Sequence, residues 1–153
     1  MRKMIKVYLD NCCYNRPFDD QSQTRIRLES QAKIQIQKMI QDGTLSLVSS
    51  YILWDENNRN PKTYNKNNIS QFILNNTQFF ISTRQAPNVE KIAIPIQQSG
   101  IKSNDALHIA SAIFANCNFF ITTDDRLLKY TDSRIIIYTP IDFIKNEYSN
   151  CKY

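Results

Sequence analysis

Apolar runs that stop abruptly at an acid or a polar turn alternate along this chain with longer stretches of helical periodicity. That alternation limits the fold more than any other feature. Residues 4–9 read as a short buried strand, apolar and partly β-branched, ending at Asp10. Asn15-Arg16-Pro17 breaks it, because proline lacks an N–H donor and restricts the residue before it. Residues 20–42 carry the strongest helical signal. Ile26, Ala32, Ile36, Met39 and Ile40 fall near one face, Arg25, Arg27, Lys33 and Lys38 largely elsewhere, and Gly43 stops the helix.

Residues 44–49 alternate like a second strand, after which Ser50 can cap a helix running through Glu56 towards Arg59, with Pro61 beyond. Ile69, Phe72, Ile73 and Phe79-Phe80 suggest another helix, and residues 88–98 a weaker one that Pro95 should kink or end. Ser103 or Asn104 is the expected cap of a helix over residues 105–116. Residues 118–122 read as a strand, 124–130 as a helical turn and 134–138 as a last strand; a short helix follows Pro140. Such alternation implies an α/β fold with a mostly parallel central sheet.

The 153 residues suit a single domain, 1–153, with a core that needs no disulfide staples. The four cysteines form no zinc-type spacing, and adjacent Cys12 and Cys13 are poorly placed to bond to each other; free thiols are expected. Nineteen basic against fourteen acidic residues give a net charge of +5, which favours a polyanionic partner but also serves solubility. Met1-Arg2-Lys3-Met4-Ile5 has the charge of a signal peptide without its apolar stretch, and no run approaches the ~20 apolar residues of a membrane span. The expectation is a soluble cytoplasmic protein. With Gly43 and Gly100 the only glycines, a P-loop is excluded.

Four acids stand where such a fold gathers ligands. Asp10 and Asp124 each follow a strand, and parallel sheets bind ligands outside the carboxyl ends of their strands. Glu56 and Asp105 lie on helices that can face the same edge. Each has an ordinary alternative: Asp105 can offset a helix dipole, Asp124 can cap its turn, and Glu56 can pair with Arg59 at i,i+3. Two like charges ~4 Å apart repel by roughly 4 kcal/mol at an effective dielectric of 20. A converged cluster therefore calls for a divalent cation, and all-oxygen ligands suit Mg²⁺ or Mn²⁺. Otherwise a carboxyl pKa must rise. His108, one turn after Asp105 and flanked by Leu107 and Ile109, reads as a packing residue.

At these residues the chain resembles the PIN domain family, the fold of many metal-dependent ribonucleases and of VapC-type toxins. Val7-Tyr8-Leu9-Asp10 looks like the family's opening strand and first acid, and Ser50-Tyr51-Ile52-Leu53-Trp54-Asp55-Glu56 like its second. Asp105-Ala106-Leu107-His108-Ile109-Ala110 is similar to the third-acid helix, and Phe120-Ile121-Thr122-Thr123-Asp124 to the last strand and acid. Asp125 competes with Asp124, and Asp55 with Glu56. The resemblance implies a three-layer α/β/α fold and a metal-dependent endoribonuclease, the toxin of a toxin–antitoxin pair. Asp10, Glu56, Asp105 and Asp124 would hold Mg²⁺ or Mn²⁺, with Thr122 or Asn11 orienting a ligand and Arg16, Arg59, Lys62 and Lys102 contacting RNA. Partners implied are an RNA substrate, an antitoxin protein and no membrane. Homodimers are common among look-alikes, although no residue identifies a dimer surface. The alternative is a catalytically weak PIN-like RNA-binding or protein-interaction module, against which the presence of all four acids argues.

Overall fold

The first strand, β1, spans Lys6–Leu9, and Val7, Tyr8 and Leu9 are fully buried, as a strand covered on both faces requires. It belongs to a computed structural model that describes residues 4–151; the signal-peptide reading of residues 1–3 falls outside them. Four more strands join it: β2 (Ser46–Ser50), β3 (Thr77–Ile81), β4 (Phe119–Ile121) and β5 (Ile136–Tyr138). They form one sheet in the order β3-β2-β1-β4-β5, and every neighbouring pair is parallel. Val7 sits between Leu47 and Phe119 in the register, at the centre of the sheet.

The helices are α1 (Asn11–Asn15), α2 (Thr24–Gln41), α3 (Tyr51–Asn58), α4 (Thr63–Asn76), α5 (Ala86–Gln98), α6 (Ser103–Phe114), α7 (Asp125–Leu128) and α8 (Pro140–Cys151). One face of the sheet presents Val7, Leu9, Leu47, Phe119 and Ile121 to Tyr14, Ile36, Ile69, Phe72 and Phe143 from α1, α2, α4 and α8. The other presents Tyr8, Val48 and Phe120 to Val89, Ile96, Ile109 and Ile113 from α5 and α6. The result is a three-layer α/β/α arrangement. Among the described residues no helix is long and apolar enough to cross a membrane. All four cysteines are free thiols.

Three local expectations are corrected. Phe79-Phe80 belongs to β3 rather than to a helix: α4 stops at Asn76, Thr77 turns extended, and its β-branched and aromatic successors pair with β2. Pro95 does not end α5, which runs on to Gln98. The proline is exposed and lies in the last turn, so the carbonyl it deprives is within reach of water. Neither Ser103 nor Asn104 caps α6; its cap position is Lys102, which makes no side-chain cap bond.

The buried face of α2 is also more polar than its periodicity suggests, holding Glu29, Ser30 and Lys33 beside Ile36, Met39 and Ile40. Lys33 is 6% exposed, and its ammonium donates to Gln37 Oε1 at 2.7 Å and lies over the Tyr14 and Phe72 rings. Burial lowers its pKa to about 8. Below that pH the ammonium is charged in both folded and unfolded chains, and its burial cost is fully present. Between about 8 and the ordinary ~10.4 the folded chain sheds the proton first, so stability rises with pH. Lys33→Met should therefore stabilise the protein at pH 7 by roughly 2–4 kcal/mol and flatten that rise, as read by urea denaturation at several pH values.

Candidate active site

Because the sheet is parallel, all five carboxyl ends lie at one edge. The chain leaves β1 for β2 and β3 on one side, then crosses to β4 and β5 on the other, so the order reverses between β1 and β4. Ligands in open α/β sheets occupy the crevice at such a reversal. Asp10 follows β1 there, and Thr122, Thr123 and Asp124 follow β4.

Asp10 is 6% exposed and caps α1. Its Oδ1 accepts the Asn11 N–H at 2.8 Å; Oδ2 accepts the Thr122 hydroxyl at 2.8 Å and the Cys12 thiol at 3.4 Å. The Thr122 oxygen in turn accepts the Asp124 N–H at 3.1 Å, so one hydroxyl ties the ends of β1 and β4 together. Each carboxylate oxygen has two lone-pair sites, which leaves Asp10 capacity for a further ligand.

Glu56 reaches the same edge on α3, whose start is fixed by Ser50 Oγ accepting the Leu53 N–H at 3.2 Å. It does not pair with Arg59. His108 Nε2 donates to Glu56 Oε1 at 2.6 Å, since a carboxylate can only accept, and Asn104 Nδ2 approaches the same oxygen at 3.5 Å. On its far side His108 Nδ1 shares a 2.6 Å hydrogen bond with the Tyr8 hydroxyl, which shares another of 2.6 Å with Ser50 Oγ. Tyr8, Ser50 and His108 are buried, so this chain anchors Glu56 to the sheet. Burial pulls the His108 pKa down. The hydrogen bond to Glu56 and the charges of Asp10, Glu56 and Asp105 outweigh it and raise the pKa overall.

Asp105 stands in the first turn of α6, half-buried. Its pKa is raised, first by burial, then by the charges of Asp10 and Asp124; His108 partly offsets this, and Glu56 adds a little more. The four carboxyls thus share one electrostatic neighbourhood. The raised pKa makes the charged form costly, fully so above it, and stability falls as pH climbs from the ordinary ~3.9 through the raised value. Asp105→Asn should stabilise the metal-free protein by up to about 1 kcal/mol after solvent screening and flatten this slope, as thermal melts across acid pH would read.

Asp124 Oδ1 accepts the Arg126 N–H at 2.9 Å, so this acid also caps α7. The competing acids look elsewhere. Asp125 is gripped by both terminal nitrogens of Arg25, at 3.1 and 2.8 Å, which lowers its pKa. Asp55 is exposed on α3. Arg25 also approaches buried Glu29, and Arg16 is held by Glu29 at 2.9 Å and Asp19 at 3.1 Å. Arg16 is accordingly committed to structure, whereas Arg59, Lys62 and Lys102 are exposed.

A donor set of four carboxylates fits a hard cation such as Mg²⁺ or Mn²⁺ by its chemistry. Among the described residues no three His, Cys, Asp or Glu side chains are already drawn together as a metal cage. The sequence reading gave Tyr8, Cys12 and Arg25 no role at the site. The signal for Tyr8 was a hydroxyl inside a buried strand, which must find a partner.

Neither a protein-family model nor a curated protein matches the chain. A chain of VapBC2 from Rickettsia felis, in a crystal structure bound to a DNA fragment from their promoter, is similar with a TM-score of 0.54 and 13% identity. The likeness covers 87% of this chain and 97% of that one. At such identity it carries the fold alone, a three-layer α/β/α arrangement of PIN-like kind.

Proposed function

We propose that the protein is a metal-dependent endoribonuclease, the toxin of a toxin–antitoxin pair, with Asp10, Glu56, Asp105 and Asp124 as its metal-binding acids. The observation that carries this reading is that Asp105 feels the charges of Asp10, Asp124 and Glu56 beside the strand-order reversal. Its fold likeness to a chain of a VapBC complex supports it further, and suggests an antitoxin as partner.

Asp10, Glu56, Asp105 and Asp124 would hold Mg²⁺ or Mn²⁺, Asp10 and Asp124 from the strand ends at the reversal and Glu56 and Asp105 from α3 and α6. The ion would lower the pKa of a bound water and offset charge on the phosphoryl oxygens. The chain's own groups prepare the site. Thr122 fixes the Asp10 carboxylate and the Asp124 backbone together. His108, braced by Tyr8, holds Glu56 and fixes which oxygen is turned away from the imidazole. Arg59, Lys62 and Lys102 are available to the RNA backbone.

Cleavage of an RNA panel with Mn²⁺ and with chelator tests the proposal. The reading as a weak binding module gains some weight from the absence of a ready cage, and expects RNA bound but uncut in both conditions. Site register is tested by substitution: Glu56→Gln and Asp124→Asn should lower the cleavage rate by about 10²-fold or more. Asp55→Asn and Asp125→Asn should leave it near wild type. The reverse ranking would refute the assignment.

A further inference from the structure

Arg16, Arg25 and Arg134 each grip an acid through hydrogen bonds of between 2.8 and 3.1 Å. Arg126, on α7, does not. Its Nε stands 3.9 Å from Asp124 Oδ1, beyond hydrogen-bond range, and its side chain is 72% exposed. Among the described residues its guanidinium makes no hydrogen bond. Among them, too, it is the only lysine or arginine with a charged nitrogen within 4 Å of any of the four site acids.

The backbone that carries Arg126 is fixed on both sides. Before it, Arg25 reaches over from α2 to hold the Asp125 carboxylate and, at 3.1 Å, the Thr123 carbonyl. After it, Leu127 is 1% exposed and packs into the core against the α5 and α6 side of the sheet. The Arg126 N–H itself donates to Asp124 Oδ1 at 2.9 Å, which leaves Asp124 Oδ2 without a partner among the described residues. An exposed charge pair held at such a distance adds little to stability. The guanidinium is therefore rooted beside a site acid and uncommitted to it. Its planar fork of N–H donors matches two oxygens of one phosphate, as an ammonium does not.

We propose that Arg126 is a catalytic residue that grips the non-bridging oxygens of the scissile phosphate, a deepening that rests on the ribonuclease reading. Hydrolysis joins a water oxygen to phosphorus and breaks the bond from phosphorus to one sugar oxygen. The water gives up a proton to solvent, and the sugar oxygen leaves with the bonding electron pair and takes a proton up. Throughout this change the non-bridging oxygens carry the phosphate's negative charge, and donors already aimed at them lower the barrier. Arg126 follows β4 at the strand-order reversal, on the side of β1 away from β2, so it meets a phosphate at the acids from the Asp124 side. The structural alternative is a guanidinium that merely screens Asp124, and it predicts a different set of measurements.

Arg126→Ala keeps the backbone N–H that Asp124 accepts and removes only an exposed side chain, so it should melt with wild type. In single-turnover RNA cleavage at saturating Mn²⁺ its rate should fall by about 10–10²-fold. That is less than for an enclosed donor, because water and salt reach Arg126. Arg126→Lys, with the charge but not the fork, should recover part of the loss. Lys38→Ala removes an exposed cation from the last turn of α2, towards the opposite edge of the sheet, and should cut at the wild-type rate. Mn²⁺ affinity of Arg126→Ala, read by titration calorimetry, should hold or tighten, since a positive charge has left the acids. Mere screening predicts that tightening with cleavage at the wild-type rate, and this result overturns the proposal, as does an equal loss in Lys38→Ala. The nuclease reading fails separately, if wild type binds RNA and cuts none with any metal. The phosphate contact is then read from salt dependence: log affinity against log salt should be shallower by about 0.7 in Arg126→Ala. Equal slopes overturn the contact, and a wild type that binds no RNA overturns both.

Discussion

Asp10→Asn should abolish Mg²⁺- or Mn²⁺-dependent RNA cleavage while leaving the protein folded. The substitution removes one negative charge from the centre of the carboxylate edge and almost no volume. Asparagine keeps an oxygen for the Asn11 N–H, and its NH₂ can donate to the Thr122 oxygen where the carboxylate accepted. The hydrogen-bond loss is on the order of 1 kcal/mol. Relief of the charge that burdens Asp105 works in the opposite direction, so the melting temperature should move little. Activity has no such offset. Charge stabilisation by a bound metal is worth several kcal/mol, and each 1.36 kcal/mol is a factor of ten, so the rate should fall by about 10²–10⁴-fold. Single-turnover cleavage beside a thermal melt reads both quantities. Cleavage by the purified variant at the wild-type rate would sink the site.

How far the sequence disclosed this molecule depended on the range of the forces involved. The strand end at Leu9, the Gly43 stop and, to within one residue, the strand end at Ile121 were legible because apolar runs and a positive-φ glycine act within a few residues. The placement of acids at one edge followed from parallel topology, which alternation implies. What stayed hidden was set by distant partners. Phe79-Phe80 became a strand because β2 offered it a ladder, and Lys33 lies inside because Tyr14, Phe72 and Gln37 receive it. Arg16, placed near RNA by chain position, is committed to Glu29, thirteen residues on and nearly fully buried. The pairing that commits Asp125 to Arg25 had no local signal, because the two stand a hundred positions apart.

The same distance effect hid His108, and it makes His108→Ala the substitution with the largest expected cost to the fold of the site. The imidazole is 1% exposed and sits edge-on to Tyr8 at 5.7 Å, between two 2.6 Å hydrogen bonds. Truncation leaves a cavity and strips the Tyr8 hydroxyl of one of its two partners inside the core. Cavity and desolvation costs together come to roughly 2–4 kcal/mol. At this chain length the melting temperature should fall by roughly 5–15 °C. A second signature separates the ion pair from mere packing. Because the His108 pKa is raised on folding, the imidazolium's pairing with Glu56 stabilises the protein fully below the ordinary ~6.5. That contribution is lost as pH rises through the raised value. The variant should therefore differ most from wild type at mildly acid pH and least under alkaline conditions. If the difference is independent of pH, His108 acts as filler and Glu56 is held by something else. In cleavage assays the released Glu56 should lower kcat by about tenfold with little change in KM, the pattern of a group that positions the reacting centre without adding to ground-state binding.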